Sequence, residues 1–153
     1  AHIGYDESAK AVGVKAGVEL AIAATGGSLR VGGFYSDKIS NQYGIGMPGG
    51  FAAVTPVTVN SATAEVANWS AAIGYTQDIT ATVNATIGYQ YFDGFSAASG
   101  GTINNAHLIE GAISWTPVTD FNVRLEGNWG QQKSYAGVKT TTASGFVWVR
   151  RSF

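Results

Sequence analysis

Apolar and polar residues alternate along most of this chain, and the longest such stretch is "ITATVNATIGYQYF". Its odd positions are Ile79, Ala81, Val83, Ala85, Ile87, Tyr89 and Tyr91, and its even positions are Thr80, Thr82, Asn84, Thr86, Gly88 and Gln90, with Phe92 closing the stretch. A period of two places successive side chains on opposite faces of an extended strand. Fourteen residues of it predict a strand more than twice the usual length of about 5–6 residues.

The pattern recurs. "AVGVKAGVELAI" sets Val12, Val14, Ala16, Val18, Leu20 and Ile22 against Gly13, Lys15, Gly17, Glu19 and Ala21. "LRVGGFY", "WSAAIGYT", "LIEGAISWT" and "FNVRLEGNW" alternate in the same way, and "SGFVWVRRSF" closes the chain on Phe153. These segments predict seven long strands, with "HIGY" as a short eighth. Short links ("AATGG", "QD", "TPVTD") are expected to alternate with long Gly-, Ser- and Asn-rich loops. The long loops are Ser36 to about Ala62, Asp93 to Ala106, and Gly130 to about Thr142. "VTPVTVN", inside the first, is a candidate for a small strand of its own.

Composition narrows the solvent. Charged residues are 12% of the chain and net charge is −1, so a nucleic-acid partner, which calls for a basic excess, is not expected. There is no cysteine, which removes disulfides and thiolate metal sites. No apolar run reaches the ~18 residues of a spanning helix. Strands can nevertheless span lipid when the sheet closes, because every backbone group then finds a partner within it. A tilted spanning strand needs about 9–11 residues, apolar toward lipid and polar toward the lumen.

The aromatic residues fit that picture. Tyr35, Tyr89, Tyr91 and Trp129 fall at the long-loop ends of the apolar faces, and Tyr75, Trp115, Phe121 and Phe153 at the short-turn ends. Two aromatic belts are what amphipathic rings form at the two membrane interfaces. A soluble sandwich would need aromatics in its core but not at strand ends.

The terminal "FVWVRRSF", the turn region "SWTPVTDFNVRLEGNW" and "GYDESAKAVGVKAGVEL" together resemble the general outer-membrane porins of rhizobia and related alphaproteobacteria. The resemblance implies an all-β, antiparallel up-and-down transmembrane β-barrel. Residues 1–153 would form a single barrel region of about 7–8 strands, the C-terminal half of a sixteen-stranded wall. It also implies a homotrimer in the outer membrane of a Gram-negative bacterium, in contact with lipid and lipopolysaccharide. Small hydrophilic solutes and ions would cross by passive diffusion, without catalysis or cofactor. A complete eight-stranded barrel serving as anchor or adhesin is the first alternative, and an outer-membrane enzyme the second.

The polar phase supplies a candidate pore-lining set: Lys15, Glu19, Arg30, Asn84, Glu110, Asn122, Arg124, Glu126 and Arg150. Arg30, Arg124 and Arg150 are expected near the short-turn side. There they would either create a positive transverse field or pair with the glutamates and stiffen the wall. Arg151 falls in the apolar phase, beside the end, where it can snorkel to the interface. His107 is expected at a loop edge. No catalytic partner stands out for it, and "GIGMPGG" lacks the lysine of a phosphate loop.

Overall fold

A computed structural model describes residues 2–6, 11–36, 68–94 and 103–152. They form one eight-stranded antiparallel sheet and, among the described residues, no helix. The strands are β1 (His2–Asp6), β2 (Ala11–Ile22), β3 (Gly27–Ser36), β4 (Trp69–Thr80), β5 (Val83–Asp93), β6 (Ile103–Val118), β7 (Phe121–Ser134) and β8 (Lys139–Arg151). Each pairs with its neighbours in chain order, and no pairing joins β1 to β8 among the described residues. "HIGY" thus opens a genuine strand, although only five residues long. The expected loop strand "VTPVTVN" lies outside the described residues.

The sequence misplaced several connections. Ile79–Phe92 is not one strand, since a turn at Ala81–Thr82 divides it between β4 and β5. The expected turn at "QD" therefore moves toward the C-terminus, and Gln77 and Asp78 stay in the ladder opposite Ala85 and Asn84. The turn is set by Thr80, whose hydroxyl accepts hydrogen bonds from the backbone N–H groups of Thr82 and Val83, a local alternative to the ladder typical of Thr. All β4–β5 pairs but Thr80–Val83 join residues of like parity, odd to odd as in Tyr75 with Ile87 or even to even as in Thr76 with Thr86. Alternation in the sequence consequently continues through the turn without a break in phase.

The third expected long loop, Gly130 to Thr142, is mostly strand. Pairing of β7 with β8 continues to Lys133 opposite Lys139, and only residues 135–138 connect them. Polar side chains had suggested a loop, but the backbone ladder does not depend on apolar side chains, and the threonines at 140–142 favour extended backbone. The second long loop shortens because β6 begins at Ile103. The link "TPVTD" contracts to Thr119–Asp120, and Pro117, which cannot donate to a ladder, coincides with a register shift between Trp115 and Val118.

Burial on this sheet is inverted relative to a soluble protein. The apolar phase is open to the surroundings: Ile87 is 60% exposed and Leu125 56%, and Val18, Leu20, Ile73, Ile109, Ile113 and Val147 are exposed with them. On the opposite face Ser70, Gln90, Glu110, Ser114 and Glu126 are buried against the rest of the chain. That face also carries an apolar cluster of Phe34, Phe92, Ile103, Ala106 and Leu108. Backbones come closest at Gly33, where a Cβ would collide with the Ser70 carbonyl oxygen, so β3 and β4 need a residue without a side chain there.

Candidate functional site

Strand register decides which charged side chains can meet. One row of directly opposed residues crosses the sheet from β2 to β8: Glu19, Arg30, Gly74, Gly88, Glu110, Asn128 and Ser144. A neighbouring row carries Ala112, Glu126 and Phe146, and the next carries Asn84, Ser114, Arg124 and Trp148. Asn122 opposite Arg150 follows, nearest the Thr119–Asp120 turn. Lys15, opposite Phe34, lies toward the other end. All nine candidate residues share the polar face, with Arg30, Arg124 and Arg150 toward the short turns.

Two ion pairs form within this set. Arg30 Nη2 donates to Glu19 Oε1 across the β2–β3 ladder at 3.0 Å, with both side chains in contact with solvent. Arg124 Nε donates to Glu126 Oε2 along β7 at 2.8 Å, and the Glu126 side chain is only 2% exposed. Of the two expectations for the arginines, pairing with glutamate describes Arg30 and Arg124. Arg150 is exposed opposite Asn122. Neutral side chains extend the network: Gln90 Nε2 donates to Ser70 Oγ at 2.7 Å, Ser144 Oγ to Asn128 Oδ1 at 2.9 Å, and Asn122 Nδ2 to Thr116 Oγ1 at 3.0 Å. Among the described residues, Glu126 Oε1 and Asn128 Nδ2 are buried without a hydrogen-bond partner, a costly condition for polar atoms unless water reaches them.

A second group lies on the apolar face, with contacts that the sequence does not reveal. His107 is not at a loop edge. It sits inside β6, opposite Tyr91 and Gln131, with Nδ1 2.6 Å from the Tyr89 hydroxyl. The Tyr91 ring packs 5.0 Å from the His107 ring and 5.3 Å from that of Trp69. Asp93 ties the group together, accepting from Trp69 Nε1 at 3.1 Å and from the Tyr91 hydroxyl at 3.0 Å. Trp69 is itself opposite Tyr35. The signal was present in sequence as polar-tipped aromatics at strand ends. Which of them would meet depended on a register that only pairing supplies. At the other end, Tyr75 reaches the β2–β3 turn, where its hydroxyl lies 3.5 Å from Thr25 Oγ1.

Among the described residues no group of three or more His, Asp or Glu side chains is placed to hold a metal ion. Among the described residues, His107 is bordered by the Tyr89 hydroxyl, the Tyr91 ring and Gln131. Comparison of the chain with protein-family models, curated proteins and solved structures finds no match.

Proposed function

We propose that this chain is part of the wall of an outer-membrane β-barrel porin, through which small hydrophilic solutes and ions diffuse passively. The inverted burial is the observation that carries the reading. Many large apolar side chains point away from the protein on one continuous face, whereas glutamates, glutamine and serines are buried on the other. In water each exposed large apolar side chain forgoes about 1.5–3 kcal/mol of burial, and patches of this kind mark contact with a partner or membrane. Hydrocarbon removes that penalty. The aromatic group around Trp69, Tyr89, Tyr91 and His107, with polar tips engaged, suits an interfacial belt.

In this reading the pore wall is the polar face, and the edges of the sheet, at β8 and at β1 with the part of β2 that β1 does not cover, are met by further strands, since open edges do not occur in lipid. The resemblance to rhizobial-type porins, with their sixteen strands and trimeric assembly, is in keeping with this. Arg150 and the solvent-reached Arg30–Glu19 pair are the charges best placed to act on passing ions.

One observation favours a second reading, an eight-stranded barrel whose interior is filled by its own side chains and which serves as an anchor or adhesin. The apolar cluster around Phe92 and Leu108 and the buried glutamates occupy the face that would line water. Conductance separates the two. The purified protein inserted in a planar bilayer should give discrete, ohmic current steps that grow with salt concentration. Stable insertion without current steps would overturn the porin reading and leave the filled barrel.

A further inference from the structure

The register brings two lysines together on the apolar face. Lys133 of β7 is directly opposite Lys139 of β8, and both fall in the outward phase with Trp129, Leu125 and Val147. Like charges directly opposed on adjacent strands destabilise a sheet. The nearby carboxylate in the same cross-strand row, Asp93, already accepts from Trp69 and Tyr91. Among the described residues neither lysine forms an ion pair. Asn105 adds an amide opposite Lys133, and Gln131 lies two residues below it on the same face.

Below the lysines the face changes in the order an amphiphile would match. Gln131 and Thr141 come first, then Trp129 and Ala143, then Gly127 and Gly145, then Leu125 and Val147. A Cβ on Gly127 or Gly145 would make only ordinary contacts, at 4.0 and 3.5 Å from the nearest carbonyl oxygen. The backbone therefore does not require glycine at either position, in contrast to Gly33. Their effect is outward: a shallow lane beneath the cationic pair, roughly 20 Å along the strand from it.

We infer that Lys133 and Lys139 form a binding site for the phosphate of a membrane lipid, whose acyl chain lies over Gly127 and Gly145. This rests on the outer-membrane reading above. The two ammonium groups supply the charge that the phosphate lacks, Asn105 and Gln131 can donate to its oxygens, and the apolar face below takes the chain. Bound phosphate would in turn relieve the repulsion between the lysines.

The test uses the full protein, with flotation in lipid vesicles measured first. Diphosphoryl lipid A is then titrated against the detergent-solubilised protein and bound copies are counted by native mass spectrometry. At about fivefold per cation near a lipid surface, K133Q/K139Q should bind roughly twenty-five-fold more weakly, while K133R/K139R keeps its affinity. Equal binding by the glutamine and wild-type proteins would overturn the inference. So would displacement of the lipid by millimolar inorganic phosphate, which would make this a free-anion site. A loss of self-association in place of lipid in K133Q/K139Q would show that the face meets a second copy, again overturning it. Failure of the wild type to float overturns the membrane reading itself. Flotation without dependence on the lysines overturns this site alone.

Discussion

The β2–β3 and β6–β7 hairpins carry the same chemical pair on the same face of one sheet, in opposite surroundings. Glu19 and Arg30 join two strands and stay in contact with solvent. Arg124 and Glu126 sit two residues apart on one strand, with the carboxylate buried. A pair that water reaches is screened by salt and holds its strands together weakly. A buried pair contributes little net stability while intact, yet is hard to break, because removing one partner leaves an uncompensated charge. In the proposed porin the first hairpin would present charge to passing ions, whereas the second would use its charges to build the wall.

The largest expected effect breaks the buried pair. Glu126→Ala should lower unfolding stability in detergent by about 3 kcal/mol, the low end for such a loss because solvent partly reaches Arg124. Glu19→Ala should leave the urea midpoint unchanged. Equal midpoints for the two variants would erase the distinction between the hairpins.

The apolar faces should show no such distinction. On the outer-membrane reading, Val18→Arg in β2 and Leu125→Arg in β7 would each place a cation toward hydrocarbon, at about 2–4 kcal/mol near the bilayer midplane. Both should reduce assembly into lipid vesicles to a similar degree, whereas Ala21→Arg, on the polar face of β2, should assemble. Assembly of all three variants at wild-type yield would mean that the exposed face does not meet lipid.

The turns offer the smallest effects and a finer comparison. Each hairpin returns through a residue of left-handed backbone, Gly26 at φ 68° and Asp120 at φ 64°. Glycine adopts that geometry freely, while other residues pay roughly 1–2 kcal/mol, with Asp among the more tolerant. Gly26→Ala should therefore destabilise by about 1 kcal/mol, and Asp120→Gly should raise the thermal midpoint slightly. If Asp120→Gly instead lowers the midpoint, the aspartate side chain contributes something to the turn beyond its backbone.

Much of the fold could be read from alternation, since period-two patterning reports directly on which face a side chain takes. That suffices to put Lys15, Glu19, Arg30, Asn84, Glu110, Asn122, Arg124, Glu126 and Arg150 on one face. It does not reveal turns whose register preserves parity. Ala81 continues the phase of Ile79 and Val83 although the chain reverses there, and the mostly polar stretch from Gly130 to about Thr142 suggests a loop where β7 and β8 continue. Register was also the missing information at the candidate sites. Nothing local announces that His107 will lie between Tyr91 and Gln131, or that Lys133 will oppose Lys139.

The strictly sequential strand order has a consequence for how the sheet forms. Chain links of two to nine residues separate the strands from β4 to β8, so each pairing closes a small loop. The β3–β4 pairing must instead gather the ends of residues 37–68. Loop-closure entropy rises by about 0.6 kcal/mol for each doubling of length, which puts this step roughly 2 kcal/mol above closure of the four-residue β2–β3 turn. Strands β4–β8 should accordingly zip up first and β2–β3 dock onto β4 last. Shortening the 37–68 connection would then speed assembly, whereas lengthening the β6–β7 turn would slow its earliest stage.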